Sequence, residues 1–328
     1  MAARCGVSRA TVSRVLNASP RVSDGARAAV ENAIEQLGYA PNRAARSLAA
    51  HRSYTVALVV SEPSTRLFGD PFLAGTIRGI AATVSGSRYQ LVLLMVQHES
   101  DRKAVERHLL RGNTDGVLLL STRRDDPLPA RLVGAGIPCV IAGHPDELAG
   151  AAVGFVDADN VGGARRACAH LIRRGCRTIA TVAGPQDMSP GTDRLEGWRK
   201  ALAGTGRAAA SSLVAEGDFT RVGGAVATSE LLGRHAEIDG IFAASDLMAI
   251  GALDALRCAG RRVPDDVAVV GFDDSTLARD SNPPLTTVRQ PIEVMGGEMG
   301  RLLLDQVDGG ASPQGITLET ELVVRRSA

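Results

Sequence analysis

The chain has 328 residues, of which 45% are hydrophobic and 22% are charged, with a net charge of +1. These values are ordinary for a globular protein of two or three domains and exclude a disordered chain or a polycation. No apolar run reaches the roughly 18 residues of a membrane-spanning helix, and no leader pattern opens the chain, which predicts a cytoplasmic protein. The five cysteines are scattered, as expected for reduced thiols.

Charge is distributed unevenly along the chain. The first 52 residues hold eight arginines against Asp24, Glu31 and Glu35, a balance of +5, so the remaining residues sum to −4. A basic segment on a near-neutral body indicates a polyanionic partner for that segment.

The chain opens on a predicted pair of short helices. Gly6 allows a tight turn, and Ser8 is a good N-cap for the second helix. Val12, Val15 and Leu16 recur at i, i+3 and i+4 and should pack inward, whereas the opposite face is basic and polar. This pattern is typical of a helix-turn-helix whose second helix enters the DNA major groove, although an ordinary surface helix after a glycine turn has the same pattern.

A third helix and a linker are expected next. Ser23 can cap a helix that Gly38 ends, which completes a three-helix domain over 1–40. Asn42 can cap an alanine-rich helix within 41–52, but isolated helices this short are marginal in water. We therefore expect a linker helix that folds only against a partner.

From Tyr54 onward, short apolar runs alternate with helical stretches over 53–328, which predicts parallel sheets covered on both faces. We expect two doubly wound α/β units, about 53–145 with 285–290 crossing back and about 150–283 with the C-terminal part. A ligand would bind in the cleft between them. The predicted strands are 54–60, 91–96, 116–120, 138–142, 153–156, 178–183, 212–215, 239–243, 267–271, 286–288 and 316–324. The predicted helices are about 72–85, 101–111, 128–135, 160–174, 193–203, 221–234, 245–259 and 291–307.

The run Thr11–Asn17 closely resembles the recognition helix of the lactose/galactose repressor (LacI/GalR) family. Further matching segments follow in family order across 1–326: Pro41–Leu48, Asp70–Phe72, Val156–Asn160, Arg194–Trp198, Ala244–Ala249, Val269–Asp274 and Pro284–Val288. The resemblance implies an all-α DNA-binding head, a hinge helix and a core like a periplasmic sugar-binding protein. It also implies a homodimer that releases or binds operator DNA when a small effector, which we expect to be a sugar, enters the cleft.

Three residues of the second helix are the candidates for base contacts. Arg9 and Arg14 suit guanine, because the guanidinium fork can bond O6 and N7 together, and Ala10 can meet a thymine methyl. The alternative is that the arginines contact only phosphate. The other candidate DNA-contact residues are Ser8, Thr11, Ser13, Asn17, Ser23, Asn42 and Arg43, some of which serve equally well as helix caps.

Leu48 stands in the predicted linker helix with no apolar neighbour to share a core. A lone exposed leucine is commonplace. The resemblance implies instead a wedge that enters the minor groove and kinks the operator, with one leucine from each subunit.

The resemblance also implies the ligand positions of the cleft, which are Phe72, Arg194, Phe219, Asp246 and Asp273, with Asp159 as a weaker candidate. Carboxylates and an arginine beside aromatic faces suit a polyol. The alternatives are helix or loop caps for the aspartates and core packing for the phenylalanines. Trp198 is assigned to packing.

Signatures of catalysis are poor, so we expect no enzyme activity, cofactor or metal. The run Gly204–Ala209 matches G-x-G-x-x-A, but it follows a predicted helix instead of a strand and therefore lacks the dinucleotide context. Two other classes remain open, a solute-binding protein without a regulatory role and a sugar-handling enzyme. The basic head argues against the first, and the lack of a convergent base and nucleophile argues against the second.

The first predicted helix is short. Family members usually open with Thr-x-x-Asp-Val-Ala, and Met1 stands where that Val would be, which leaves about one helical turn before Gly6. We expect a translation start placed too late, with a degenerate first helix as the alternative. A late start would leave effector binding normal and weaken operator binding.

Overall fold

The computed structural model describes residues 2–16, 21–37, 52–145, 153–206 and 209–328. The chain forms two compact units, 1–53 and 54–328. Asn17, Asn42, Arg43 and Leu48 lie outside the described residues, as does most of the predicted linker, and the side chain of Ser13 is not described either. The predictions for those residues stay predictions.

The N-terminal unit contains the predicted helices. They are α1 (Ala2–Cys5), α2 (Arg9–Leu16) and α3 (Asp24–Leu37). Val12, Val15 and Val30 form a small buried core against which Ala2 and Cys5 pack, so even the short first helix contributes apolar contacts. Ser8 caps α2 as predicted, because its Oγ accepts a hydrogen bond of 3.0 Å from the backbone N–H of Thr11.

The C-terminal unit alternates strands and helices, as the apolar runs predicted. Its strands are β1 (Thr55–Val60), β2 (Gln90–Met95), β3 (Gly116–Leu120), β4 (Cys139–Ala142), β5 (Gly154–Ala158), β6 (Ile179–Ala183), β7 (Val214–Glu216), β8 (Gly240–Ala243), β9 (Ala268–Asp273), β10 (Thr286–Arg289), β11 (Gly315–Leu318) and β12 (Glu321–Val323). Its helices are α4 (Ser64–Gly69), α5 (Pro71–Ser85), α6 (Glu99–Leu110), α7 (Leu128–Gly134), α8 (Asn160–Arg173), α9 (Ser189–Ala203), α10 (Arg221–Arg234), α11 (Asp246–Cys258), α12 (Thr276–Asp280) and α13 (Ile292–Val307). A short 3-10 turn at Ser211–Leu213 precedes β7.

The strands form two six-stranded sheets. The first has the order β11-β5-β4-β3-β1-β2 and the second the order β12-β10-β9-β8-β6-β7. All neighbouring strands run parallel except β10 and β12, which are antiparallel. Each sheet carries a buried apolar cluster on both faces, which explains why its central strands are continuous apolar runs.

The division of strands between the sheets differs from the sequence prediction. β5 was expected in the second unit but pairs with β4 in the first sheet. The 285–290 segment was expected to cross back to the first unit, but β10 pairs with β9 and β12 in the second sheet. The predicted strand 316–324 is broken at residues 319–320, and its two halves join different sheets. Apolar periodicity identifies a strand without its partner, and partners are set by packing of residues distant in sequence.

The C-terminal helix returns to the first sheet. α13 packs against α5, where Gly79 and Gly296 let the two backbones approach so closely that a Cβ at either position would meet a carbonyl oxygen of the other helix. The first subdomain therefore consists of residues 54–158 and 292–318, and the second of 160–289 and 321–328. The chain passes between them three times, near residues 159, 290–291 and 319–320. Among the described residues, no helix is both long and apolar enough to span a membrane.

Candidate functional site

A cavity lies between the two sheets at the carboxyl ends of their strands. In each sheet the winding direction changes beside the first strand, β1 or β6, and such reversals open a crevice at that edge. Its lining from the first subdomain is Arg66, Asp70, Phe72, Ser121, Thr122, Ala142, Gly143, Asp157 and Met295. Its lining from the second subdomain and the connecting segments is Asn160, Met188, Pro190, Arg194, Phe219, Ser245, Asp273 and Gln290.

Arg194 is the central cation of this cavity. It projects from α9 and is only 5% exposed. Its Nε donates to Asn160 Oδ1 at 2.8 Å, its NH1 donates to the carbonyl of Ala244 at 2.6 Å, and NH1 lies 3.6 Å from Asp273 Oδ1. Its guanidinium also lies 3.8 Å from the ring centroid of Phe272. Burial lowers the Arg194 pKa, which the nearby carboxylates oppose.

Two buried carboxyl groups face Arg194 across the cavity. Asp273 accepts from Gln290 Nε2 at 2.6 Å, and burial raises its pKa well above the usual range. Asp70 accepts from the backbone N–H of Phe72 at 2.9 Å as the N-cap of α5, and burial raises its pKa as well. Both groups have polar partners and desolvated surroundings, as in a ligand-binding site.

Aromatic rings supply the apolar surfaces. Phe72 follows the Asp70 cap at the start of α5, and Phe219 is buried in the loop before α10. The guanidinium carbons of Arg66 and Arg194 lie 5.3 and 5.9 Å from the Phe219 ring centroid. Phe219 has a φ of 61°, a backbone conformation that non-glycine residues adopt rarely, and such strain is concentrated at functional sites.

The structure places four of the six predicted ligand residues on the cavity lining: Phe72, Arg194, Phe219 and Asp273. Asp246 lies beneath it, fully buried, accepting from Thr287 Oγ1 and the Ser275 backbone, and burial raises its pKa to about 7. Asp159 caps α8 through Gly162 and pairs with Arg166, so it occupies the alternative role of a cap in a connecting segment. Trp198 is buried and donates to the Ile179 carbonyl, which confirms its assignment to packing.

Other lining residues were missed from sequence. Asp157 and Asn160 stand on either side of the predicted Asp159, and Asp157 Oδ1 accepts from the Asn160 side chain at 2.9 Å. Alternation along β5 could have placed Asp157 and Asp159 on the same face, but β5 ends at Ala158 and the helix begins at Asn160. Arg66 comes from α4, a helix that the apolar pattern did not predict.

The two subdomains touch directly at the mouth of the cavity. Arg123 of the first subdomain forms an ion pair with Asp187 of the second, and Arg124 donates to Thr192 Oγ1 at 3.1 Å. His144 Nε2 lies 2.7 Å from Asp193 Oδ2. These contacts hold the cleft in a closed arrangement.

Gly143 permits this closure, and its replacement is expected to oppose it. Its φ is 89°, and an added Cβ would lie 2.6 Å from Ser189 Oγ in the other subdomain. We expect Gly143→Ala to weaken binding of the cleft ligand by about tenfold, or about 1.4 kcal/mol, because closure would meet a steric clash. Isothermal titration calorimetry measures the effect.

The matched control adds Ser189→Ala, which removes the clashing oxygen. The double variant should recover much of the affinity, while the backbone strain at position 143 remains in the open and closed forms alike. Equal affinity of Gly143→Ala and the parent chain would contradict the proposed closure.

The helix-turn-helix unit presents a second candidate surface. Arg9, Ala10 and Arg14 are all exposed on α2, opposite the buried Val12 and Val15. This arrangement leaves a basic, polar helix face free to enter a major groove. Ser8 and Thr11 are joined by a hydrogen bond at the helix start, and Ser23 precedes α3 as an exposed residue.

Comparisons with known proteins agree with both surfaces. Residues 1–42 match the model described as bacterial regulatory proteins, lacI family, and residues 168–328 match a periplasmic binding protein-like domain. The chain is 50% identical over 328 residues to the HTH-type transcriptional regulator CelR of Thermobifida fusca, covering 100% of this chain and 96% of that protein. The chain belongs to the LacI family of bacterial transcriptional regulators.

Other LacI-family proteins show the same relationship. The HTH-type transcriptional repressor CytR of Escherichia coli is 33% identical, over 100% of this chain and 94% of that protein. A solved CelR–cellobiose complex has a TM-score of 0.82 with 49% identity and covers 100% of this chain and 98% of that one. A Lac repressor dimer bound to operator and an anti-inducer has a TM-score of 0.84 with 27% identity, covering 99% and 97% of the respective chains. The LacI-family helix-turn-helix and two-subdomain core predicted from sequence are thereby confirmed.

Proposed function

We propose that this LacI-family regulator represses transcription as a homodimer, and that a β-linked glucose disaccharide such as cellobiose in the cleft controls its affinity for operator DNA. The observation that carries the proposal is the buried group formed by Arg194, Asp273 and Asn160 beside the rings of Phe72 and Phe219. Sugars offer hydroxyl groups to such polar atoms and C–H faces to aromatic rings. The CelR relative, 49% identical, was solved with cellobiose.

The same geometry favours binding over hydrolysis. A glycosidase needs one carboxylic acid and one carboxylate free to flank the scissile bond. Here Asp70 caps a helix, Asp273 is held by Gln290 and Arg194, and Asp157 is held by Asn160 and the backbone of Ala158. Carboxylates with these partners orient a ligand, so we propose that the sugar leaves the cleft unchanged and that the protein works in the cytoplasm, where its operator is.

Operator titrations with and without sugar test the proposal. Fluorescence anisotropy with DNA from upstream of the protein's own gene should show tight binding, and saturating cellobiose should change the apparent Kd at least tenfold. Glucose and ribose at equal concentration serve as controls and should leave the Kd unchanged. Tight cellobiose binding without any DNA binding would support the solute-binding alternative, and an effect of ribose alone would show that the ligand class is wrong.

A further inference from the structure

A mixed cluster of one histidine and two aspartates lies beside the cavity and is not explained by sugar binding. His144 follows β4, Asp157 belongs to β5, and Asp193 lies in α9. Potential ligand atoms of the three side chains lie within 4.8 Å of one another, and His144 Nε2 is 2.7 Å from Asp193 Oδ2. Two of these residues therefore come from the first subdomain and the third from the second.

The chemistry of the cluster fits a first-row divalent cation. Imidazole nitrogen and carboxylate oxygen bind Zn²⁺ at about 2.0–2.2 Å, so two ligands of one ion lie at most about 4.4 Å apart. Small side-chain rotations bring the observed spread of 4.8 Å into that range. Three protein ligands also leave a fourth position open, as in zinc sites that bind an exchangeable group.

Asp157 is already oriented as a ligand. It is 4% exposed, and its Oδ1 accepts from the Ala158 backbone at 2.8 Å and from Asn160 Nδ2 at 2.9 Å. Within the part of the chain that the structure describes, its hydrogen bonds fall on Oδ1, which leaves Oδ2 directed to an ion. Such outer hydrogen bonds fix the orientation of metal-ligating carboxylates.

We propose that His144, Asp157 and Asp193 form a binding site for a divalent cation of the Zn²⁺ or Co²⁺ class that bridges the two subdomains. Because its ligands come together only when the cleft is closed, the ion stabilises the closed form. A cleft ligand that also prefers the closed form then binds more tightly in the presence of the ion, and the coupling is reciprocal. Only this coupling rests on the proposed sugar-binding function.

Cobalt titration of the full-length protein tests the site without reference to sugar or DNA. The protein is stripped with a chelator, kept reduced, and titrated with Co²⁺ while visible d–d absorption and heat are recorded. We expect one saturable site, with the Kd raised at least tenfold in His144→Gln and in Asp193→Asn. The matched control is His235→Gln, because His235 forms a histidine–carboxylate pair with Glu237 at 3.0 Å elsewhere on the surface.

The outcomes separate a metal site from a simple ion pair. Equal Co²⁺ affinity in the parent chain, His144→Gln and Asp193→Asn would overturn the proposal, as would a thiolate charge-transfer band marking a cysteine as the ligand. Unfolding temperatures measured without metal show whether each variant is folded, and Asp157→Asn provides a third ligand variant if one of the others is not. Absence of saturable binding by the parent chain would leave His144 and Asp193 as an ion pair only.

The coupling is measured separately by cellobiose calorimetry with and without Zn²⁺. We expect the ion to lower the Kd for cellobiose at least threefold in the parent chain and to have no effect in His144→Gln. Metal binding without any cellobiose binding would contradict the proposed effector and leave the cation site standing. Cellobiose binding without metal binding would contradict the cation site alone.

Discussion

Arg194→Met is expected to abolish sugar binding and to lower the unfolding free energy by about 3–5 kcal/mol, the usual cost of removing one partner from a buried ion pair. Methionine fills part of the volume but donates no hydrogen bond. The variant leaves the Asp273 carboxyl, the Asn160 side chain and the Ala244 carbonyl without the donor they share. Calorimetry with cellobiose and thermal unfolding measure the two effects.

Arg199→Ala is the matched control for this prediction. Arg199 lies on the same helix, α9, but is exposed to solvent. Its replacement should leave sugar affinity unchanged and alter the unfolding free energy by about 0.5 kcal/mol or less. Pairing Arg194→Met with Asp273→Asn should cost less than the sum of the two single changes, because no unpaired charge is then buried. Unchanged cellobiose affinity in Arg194→Met would mean that the sugar binds elsewhere.

Arg14→Ala should weaken binding to the specific operator by about 1–3 kcal/mol, a factor of roughly 10 to 100, because a bidentate contact to guanine would be lost. Arg14 is exposed on α2, on the side of the helix away from Val12 and Val15. Binding to unrelated DNA should weaken less, so the ratio of specific to non-specific affinity falls. Anisotropy titrations with both DNAs, repeated over a range of salt concentrations, measure that ratio.

Arg4→Ala removes the same charge from the preceding helix, α1, and serves as the comparison. Arg4 is exposed on the helix that crosses the backbone in this motif, so its loss should weaken both DNAs equally and reduce the salt slope by about 0.9 per phosphate contact. The same equal weakening in Arg14→Ala would show a phosphate contact only. No change in either DNA would mean that α2 does not enter the groove.

Local chemistry explains how much of the fold the sequence predicts. Apolar runs identified the strands because both faces of the sheets are buried, and Ser8 identified a helix start because its hydroxyl has the N-cap role. Strand partners were not predictable in the same way. β11 and β12 are separated by two residues and yet belong to different sheets, and that choice depends on packing with β5 and β10.

The cavity shows the same limit. Phe72, Arg194, Phe219 and Asp273 were expected from a family resemblance and lie on the lining, but periodicity alone gave no reason to prefer them. Asp246 has the sequence context of a ligand and is nevertheless fully buried under the site, since Thr287 and Ser275 take up both of its oxygens. Which aspartate of a motif reaches a cavity depends on where a strand ends, and β5 ends one residue too early for Asp159.

The three passages of the chain between subdomains bear on how the molecule is made. α13 covers one face of the first sheet and β11 completes its edge, yet both are contributed by residues after 291. A ribosome that has synthesised the first 290 residues has therefore delivered five strands of that sheet without the helix that shields them. Contacts between residues more than two hundred positions apart form slowly, and uncovered sheets invite association with other chains. The segment that seals the N-terminal half of the core is thus among the last to leave the ribosome, so the nascent chain depends on its own C-terminus to reach a protected state.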